Sequence, residues 1–496
     1  MIPSLTEFIE LTKKGNVIPV YKEIKADLDT PVSAFIKIAR GRYSFLFESV
    51  EGEEKVGRYS FLGTEPAFVF ESRGEDIVIR TPGKDRPRRY RASGGPYEEI
   101  RKLMSGFRAV EVEGVPRFSG GLLGYMSYDM IRFFERIPDG NPDRLDCPDC
   151  LMMLTDSLLV FDHFKHRIKI VSNCILPSRG RLTRKAAARL YRSAQRKILR
   201  LEKNFLKNIP AQAHYENEAP SPVNVRSNFT MEAYQAVVRR AKKHIRKGDI
   251  IQVVPSQRFT VPTRKKPLAV YRALRSLNPS PYMFYLELGD MALVGSSPEM
   301  LVRCENGLVQ TRPIAGTRSR GRNASEDDQL ARELKRDTKE RAEHLMLVDL
   351  GRNDLGRVCK TGSVTVSEFM KIEKYSHVMH LVSEVSGKLD KKRFDIYDVL
   401  QAAFPAGTVS GSPKIRAMEI IDDLETVRRG PYAGCVGYFS FSQNMDTCIT
   451  IRTVVMKKDT AYVQAGGGIV ADSRPVKEYQ ESVNKARALI EAIKKA

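Results

Sequence analysis

The chain has 496 residues, of which 42% are hydrophobic and 29% charged, a composition typical of a folded globular protein rather than a disordered or fibrous one. Its length favours two domains. The formal net charge is +22, but no zinc-finger, helix-turn-helix or aromatic RNA-binding motif accompanies it, so we expect no specific binding to nucleic acid.

The N-terminal segment lacks the cationic and apolar stretches of a signal peptide, and no run approaches the roughly 18 apolar residues that cross a bilayer. The seven cysteines are scattered, and an odd number argues against a disulfide framework. We therefore expect a cytoplasmic protein that does not enter the membrane. Cys147 and Cys150 have the spacing of zinc ligands, but no second pair follows, which favours a reduced structural pair.

Alternating polar and apolar residues in YSFLFESV, AFVFES and DIVIRT predict a mostly antiparallel N-terminal domain, residues 1–207. Residues 179–207 hold eleven Lys and Arg residues against the single acid Glu202. The apolar residues of this segment share one helical face, and they are Leu182, Ala186, Leu190, Ile198, Leu201 and Phe205. We predict a surface helix whose basic outer side is solvated.

Residues 208–228 are rich in Pro, Asn and small side chains and predict a linker. The second domain, 229–496, begins with a helix that starts near Thr230 and ends at Gly248. A hairpin turning at Asn306-Gly307 is predicted over residues 292–317, a long helix over 326–350, a three-stranded meander over 435–470 and a last helix over 475–495. Strands and helices segregate, so the predicted class is α+β with large antiparallel sheets.

Two pairs of carboxylates recur at helical spacing, Glu340 with Glu343 and Glu478 with Glu481. Residues three apart lie on one helical face, so each pair presents both carboxylates together. Four facing carboxylates repel one another unless a cation lies between them, and hard oxygen ligands suit Mg²⁺. Each pair taken alone is also typical of a solvated face.

Three glycines, Gly466-Gly467-Gly468, interrupt an otherwise regular strand and indicate a close approach of the backbone to a ligand. Their N–H groups could hold a carboxylate, with Arg452 of the neighbouring strand as the partnering cation. The alternative is a bulge beside a surface arginine. No P-loop or dinucleotide-binding motif is present.

Glu299 lies in the apolar segment ALVGSSPEMLVRC, and a two-residue turn at Asn306-Gly307 would pair it with Ile314. A carboxyl held among apolar residues can have a raised pKa and act as a general acid. His380 is a second candidate for proton transfer, although a lone histidine in an apolar run is usually structural.

Seven segments carry a family pattern, and they are residues 311–321, 340–358, 378–385, 404–421, 429–439, 446–453 and 464–473. Through them the chain resembles the chorismate-binding enzymes, over essentially all of residues 226–496 and more loosely before them. The resemblance implies a two-domain fold in which large antiparallel sheets form a sandwich with helices outside.

The resemblance also implies roles for individual residues. Glu343 and Glu481 match Mg²⁺ ligands, with Glu340 and Glu478 as supporting carboxylates. Glu299 matches the general acid that protonates the departing C4 hydroxyl of chorismate, and His380 the histidine linked to loss of pyruvate. The positions that match substrate-binding residues are Gly316, Thr317, Thr408, Tyr432, Arg452, Gly466, Gly467, Gly468 and Lys485.

Two positions select the reaction among these relatives. Ala315 stands where the branch that forms aminodeoxychorismate typically has a lysine, and Gln252 where the isochorismate-forming branch has one. The resemblance therefore implies that ammonia attacks C2 and that the products are anthranilate and pyruvate; the aminodeoxychorismate-forming branch is the alternative. The sequence has no glutaminase motif, which implies a separate glutamine amidotransferase subunit as the ammonia donor.

A second set of residues resembles the tryptophan feedback site of the same family. Its members are Glu48, Ser49, Pro281, Tyr282, Met283 and Cys448. Phe47 stands where leucine is usual. The resemblance implies allosteric inhibition by L-tryptophan.

Overall fold

The computed structural model describes residues 1–25, 28–49, 57–177, 182–209, 223–375 and 378–496. Within these ranges the helices are α1 (Leu5–Leu11), α2 (Pro31–Ile38), α3 (Gly95–Ser105), α4 (Arg184–Phe205), α5 (Met231–Lys247), α6 (Pro267–Leu277), α7 (Ala324–Arg336), α8 (Thr338–Gly356), α9 (Ile396–Ala403), α10 (Lys414–Leu424) and α11 (Pro475–Lys495), with 3₁₀ turns at Tyr128–Phe133 and Gly407–Val409.

The strands of the described ranges are β1 (Val17–Lys25), β2 (Tyr43–Glu48), β3 (Tyr59–Thr64), β4 (Phe68–Arg73), β5 (Asp76–Arg80), β6 (Arg88–Arg91), β7 (Gly121–Met126), β8 (Cys150–Thr155), β9 (Ser157–Asp162), β10 (Arg167–Ile175), β11 (Arg226–Ser227), β12 (Gln252–Val253), β13 (Ser256–Pro262), β14 (Tyr282–Leu288), β15 (Met291–Ser297), β16 (Met300–Glu305), β17 (Leu308–Thr311), β18 (Ile314–Ser319), β19 (Thr365–Lys374), β20 (Val378–Lys388), β21 (Gly411–Ser412), β22 (Cys435–Ser440), β23 (Met445–Ile449), β24 (Thr453–Lys457) and β25 (Thr460–Gly466).

Two large antiparallel sheets contain most of these strands. The first sheet has the order β1-β10-β9-β3-β2-β14-β15-β24-β25-β13-β11. The second has the order β18-β20-β17-β16-β23-β22-β7-β8-β4-β5-β6, and β19 also pairs with β20. The short strands β12 and β21 pair separately.

The two sheets face each other across a shared core. In β2, Phe45 lies in the core between the sheets with Leu123 of the second sheet, whereas its neighbour Leu46 faces the outer helices. Helices α4, α6 and α11 cover the outer face of the first sheet, and α3, α8 and α9 that of the second. This sandwich with outer helices confirms the predicted α+β class.

Strands from both sides of the predicted linker share both sheets, since β2 pairs with β14 and β7 with β22. Of residues 208–228, those numbered 210–222 lie outside the described ranges, and Arg226–Ser227 forms β11 at the edge of the first sheet.

The helix predicted after the linker is confirmed as α5. The Thr230 hydroxyl accepts a hydrogen bond from the Ala233 N–H at 3.2 Å and caps its start. Gly248 ends it with a φ of 80°, a conformation that glycine adopts without strain. The basic segment forms α4, whose Ile198, Leu201 and Phe205 are buried against the first sheet as predicted; residues 179–181 lie outside the described ranges.

The predicted pairing of Glu299 with Ile314 is wrong. The two-residue turn and its register hold within β16 and β17 only. Pro298 separates β15 from β16, and Pro313 separates β17 from β18, because proline cannot donate a ladder hydrogen bond. Ile314 pairs instead with β20. The predicted single hairpin is also divided between the two sheets, because β15 belongs to the first sheet and β16, β17 and β18 belong to the second.

Two further predictions require correction. The helix predicted over residues 326–350 is two helices, because the Asp337 carboxylate accepts hydrogen bonds from the N–H groups of Lys339 and Glu340 and starts α8. The meander predicted over residues 435–470 has four strands. Of these, β22 and β23 belong to the second sheet, whereas β24 and β25 belong to the first.

All seven cysteines are unpaired and buried, including Cys147 and Cys150. Among the described helices, none combines the length and the apolar composition that a membrane span requires.

Candidate active site

Glu299 lies where the chain crosses from one sheet to the other, between the end of β15 and the start of β16. Its backbone carbonyl accepts a hydrogen bond from the Ile449 N–H at 3.1 Å. Burial raises the pKa of its carboxyl from 4.5 to about 7, while the Thr408 hydroxyl and the Lys485 ammonium act in the opposite direction. A carboxyl with this pKa still carries its proton in much of the population near neutral pH.

His380 and the bulged strand β18 form the second part of the candidate site, after Glu299. The register shifts between Ala315, which pairs with Leu381, and Thr317, which pairs with His380. The residue between them, Gly316, has a φ of 67°, which favours glycine. His380 Nδ1 lies 3.0 Å from the Gly316 carbonyl oxygen and 3.1 Å from the Thr317 hydroxyl.

The Gly316 contact determines which nitrogen of His380 carries a proton. A carbonyl can only accept a hydrogen bond, so Nδ1 donates and Nε2 is left as an acceptor. Burial lowers the pKa of the imidazole, the Gly316 contact raises it, and the positive charge of Arg452 lowers it further. His380 is therefore neutral at physiological pH and has a basic nitrogen available.

The glycine run, Gly466-Gly467-Gly468, forms the third part of the candidate site at the end of β25. Lys485 of α11 donates to the Gly466 carbonyl at 3.0 Å, and Arg452 donates to the Lys485 carbonyl at 3.1 Å. A side chain at position 468 would lie 2.3 Å from the Gln252 amide nitrogen, so Gly468 permits close contact with Gln252. The amide oxygen of Gln252 is buried without a hydrogen-bond partner.

The four predicted metal ligands lie on α8 and α11. Burial raises the pKa of Glu343, and the negative charges of Glu340 and Glu481 raise it further, whereas Lys339 opposes them. Burial also raises the pKa of Glu478, to which the charge of Glu481 adds. The two helices therefore bring Glu343 and Glu481 close enough for their charges to act on each other.

Several observations bear on whether a cation fits there. A side chain at position 467 would lie 3.4 Å from carboxylate oxygens of both Glu478 and Glu481, so Gly467 leaves open the space that these groups border. Ammonium groups already pair with the carboxylates, Lys485 with Glu481 at 2.8 Å and Lys339 with Glu343 at 3.7 Å. Within the described ranges, no three acidic, histidine or cysteine side chains form a finished metal cluster. The mutual repulsion of the carboxylates and their hard oxygen donors fit Mg²⁺.

Charge interactions connect the three parts of the candidate site, which are Glu299, His380 with β18, and the glycine run with α11. Lys485 lowers the pKa of Glu299 and also forms an ion pair with Glu481. Arg452 lowers the pKa of His380, and the charge of Glu481 in turn acts on Arg452. Lys485 therefore couples Glu299 to the carboxylates of α11, and Arg452 couples these carboxylates to His380. Tyr432 lies beside the glycine run, with its phenol near the Gly466 amide.

The residues predicted for tryptophan binding line a single cavity between the sheets, and they are Glu48, Ser49, Pro281, Tyr282, Met283 and Cys448. The Ser49 hydroxyl is buried without a hydrogen-bond partner. The Glu48 carboxylate accepts hydrogen bonds from the Tyr271 hydroxyl and, at 3.1 and 3.2 Å, from the Arg275 guanidinium. These contacts tie the cavity to α6.

The sequence assigns no role to Arg429 and Glu425, which lie next to the site. They form a fully buried ion pair with an N–O distance of 2.6 Å. The only sequence signal is an arginine that opens the family segment 429–439, directly before a glycine and a proline.

Residues 43–491 match the family model described as chorismate binding enzyme. The chain belongs to this family. The matched region contains strands β2 and β14, the glycine run and the paired carboxylates.

Relatives within the family are similar over the whole chain. Anthranilate synthase component 1 of Acetivibrio thermocellus is 48% identical, covering 100% of this chain and 99% of its own length. The protein of the same name from Aquifex aeolicus is 47% identical, with 99% and 97% covered. Among solved structures, anthranilate synthase component I from Streptococcus pneumoniae is similar with a TM-score of 0.75 and 36% identity, covering 94% of this chain and 98% of that one.

Proposed function

We propose that the chain is the aminating subunit of an anthranilate synthase, converting chorismate and ammonia to anthranilate and pyruvate. The names and full-length similarity of its relatives support this reaction. The structural observation that carries the proposal is Glu299, a buried carboxyl with a pKa of about 7, together with His380, an imidazole whose pKa is lowered by burial and whose Nε2 is left as an acceptor. Loss of a hydroxyl requires such an acid, and removal of a ring proton requires such a base.

In the first step the lone pair of ammonia adds at C2 of chorismate. Both ring double bonds shift, C1=C2 to C1=C6 and C5=C6 to C4=C5, and the C4–O bond breaks. Glu299 donates its proton to the departing hydroxyl, which leaves as water. The Glu299 carboxylate then takes up the extra proton of the new ammonium group, which restores the acid. The absence of a lysine at Ala315 and Gln252 leaves ammonia as the nucleophile.

In the second step His380 Nε2 removes the proton from C2. The C3–O bond breaks, the ring becomes aromatic, and the side chain leaves as the enolate of pyruvate. The enolate gains one proton at its methylene carbon, so the step is balanced. The hydrogen bond from Nδ1 to the Gly316 carbonyl holds the imidazole in the tautomer that this step needs.

The two carboxylates of chorismate require cationic and N–H donors. The cationic donors are Arg452 and Lys485, and the N–H donors are the backbone groups of Gly466–Gly468. The other side chains proposed to contact the substrate are Tyr432, Thr408 and Thr317. Glu343 and Glu481 would hold Mg²⁺, supported by Glu340 and Glu478. Bound there, the ion would supply positive charge for the ring carboxylate.

Release of ammonia from glutamine requires a second protein, because the sequence contains no glutaminase motif. We propose a glutamine amidotransferase subunit as this partner. The cytoplasmic location expected from the sequence stays a prediction.

The test is a reaction of the purified chain with chorismate, Mg²⁺ and an ammonium salt, with products separated by chromatography. Anthranilate and pyruvate are expected in equal amounts, and glutamine is expected to replace ammonium only after the amidotransferase is added. Aminodeoxychorismate or isochorismate as the product would refute the proposal, since the first is the product of the alternative branch.

We further propose that L-tryptophan binds the cavity lined by Glu48, Ser49 and Met283 and inhibits the enzyme. Pro281 and Met283 offer an apolar wall for an indole, and the Glu48 carboxylate offers an acceptor for an amino group. The Ser49 hydroxyl, buried without a partner, is a further polar group available to the ligand.

The backbone connects this cavity to Glu299 on both sides. Tyr282 pairs with Ser297, two residues before Glu299, and Cys448 pairs with Met300, one residue after it. Both Tyr282 and Cys448 line the cavity. A ligand that separates these strands would displace the general acid, and a coupling of about 1–3 kcal/mol would change affinity for chorismate about 5–150-fold.

A further inference from the structure

Arg429 and Glu425 form an ion pair in the interior, with side chains that are only 2% and 3% exposed. Arg429 Nε donates to both carboxylate oxygens at 3.1 Å, and Nη2 donates to Oε1 at 2.6 Å. Glu425 directly follows α10, and Arg429 opens the loop that leads to β22. Neither residue has a part in the proton transfers described above.

The remaining donors of Arg429 reach two segments that carry predicted site residues. Nη1 donates to the Val409 carbonyl at 2.7 Å, next to Thr408 on the 3₁₀ turn that faces Glu299. Nη2 donates to the Val254 carbonyl at 2.6 Å, two residues after Gln252. One guanidinium therefore fixes the backbone of both segments.

Two more segments contact this ion pair. One does so through the Tyr432 ring, which faces the guanidinium, and the other through Ser256, which is bound by Glu425. The guanidinium lies 5.5 Å from the centre of the Tyr432 ring. Glu425 Oε1 accepts from the backbone N–H and the hydroxyl of Ser256, each at 2.8 Å. Ser256 pairs with Gly466 at the start of the glycine run.

Stability alone does not account for this arrangement. Replacing a buried ion pair with apolar residues is often neutral or stabilising, because taking two charges out of water is costly. The acceptors of Arg429 belong to separate segments, and only a planar guanidinium with five donors can reach them together. A lysine at position 429 would offer a single point charge.

We propose that Arg429, held by Glu425, is a positioning residue that sets the spacing of the Thr408, Gln252 and Tyr432 segments around the substrate. It acts through the backbone of these segments. The identity of the substrate as chorismate rests on the proposed function. A displacement of about 1 Å in a substrate-positioning group lowers the rate about 10²-fold.

The first test is the Arg429→Lys variant of the full-length chain. We expect the KM for chorismate to rise about tenfold and kcat/KM to fall about 100-fold, with unfolding still cooperative. The matched control is Arg101→Lys, which weakens an ion pair with Asp398 at 2.7 Å between α3 and α9. Its KM should stay within about twofold of the wild type, because a partly exposed pair contributes little.

A second variant separates positioning from folding. Arg429→Met combined with Glu425→Met removes both charges and leaves neither unpaired, so the chain should fold. Its KM should still rise about tenfold, whereas a purely structural pair would change only the fraction of active enzyme. A folded double variant with the wild-type KM would overturn the proposal, as would Arg429→Lys behaving like the control.

Calorimetric titration with chorismate in the absence of ammonia keeps this inference apart from the proposed function. The affinity of the double variant should be about tenfold weaker than that of the wild type. A wild type that binds chorismate but releases no anthranilate would refute the proposed function alone. Equal affinities of wild type and double variant would refute the positioning role alone.

Discussion

Replacing Glu299 by glutamine tests the proposed acid directly. Glutamine has nearly the same shape, but the N–H groups of its amide are not acidic enough to protonate a leaving hydroxyl. Since a general acid contributes roughly 10²–10⁴-fold, kcat for anthranilate should fall by this factor, or about 3–5 kcal/mol of transition-state stabilisation. Chorismate should still bind, because the donors for its carboxylates lie on Arg452, Lys485 and the glycine run.

The same substitution should stabilise the protein at alkaline pH. Folding raises the pKa of Glu299 from 4.5 to about 7, so the folded state favours the protonated form. Stability is therefore lost as the pH rises from about 4.5 through about 7, and the full shift corresponds to about 3 kcal/mol. Glutamine carries no such cost. The variant and the wild type should unfold alike near pH 4.5, and the variant should be more stable near pH 8 by up to this amount.

Urea unfolding at several pH values and the pH dependence of kcat/KM measure both effects. With rates expressed per concentration of free NH₃, the wild type should lose about tenfold in kcat/KM per pH unit above about pH 7, as the acid ionises. Glu111→Gln, at an exposed position, is the matched control and should change neither profile. Near-normal turnover by Glu299→Gln, or equal pH dependence of stability in both proteins, would refute the reasoning.

The other predictions concern the metal ligands, the base and the regulatory cavity. Glu343→Ala or Glu481→Ala should abolish turnover and raise the Mg²⁺ concentration required for chorismate binding, while circular dichroism shows an intact fold; an unchanged requirement would exclude them as ligands. His380→Met should accumulate the aminated intermediate while anthranilate falls, as seen by chromatography, whereas joint loss of both products would place it earlier or make it structural. Ser49→Phe should retain activity but lose inhibition by tryptophan, and calorimetry showing no tryptophan binding to the wild type would contradict the proposed site.

Local sequence signals predicted local structure correctly. The Asn306-Gly307 turn determined the register of β16 and β17, and Thr230 and Gly248 determined the ends of α5. These features depend on residues within a few positions of one another. The extension of the hairpin to Glu299 failed because a strand can change sheets at a proline, as happens at Pro298, and a period-two pattern does not show which sheet a strand joins.

The site itself depends on contacts between distant parts of the chain, and two kinds of residue make them. The family pattern indicates residues such as Glu299 and His380, whose side chains we propose to perform the chemistry. It does not indicate why a residue such as Arg429 is needed, because Val254, whose carbonyl it binds, lies 175 positions away and any residue type offers a carbonyl. A backbone acceptor leaves no trace in the sequence, so positioning through main-chain carbonyls becomes visible only in the folded structure. The sequence therefore names the side chains that we propose for the chemistry, whereas the main-chain contacts that hold their segments are seen only in the structure.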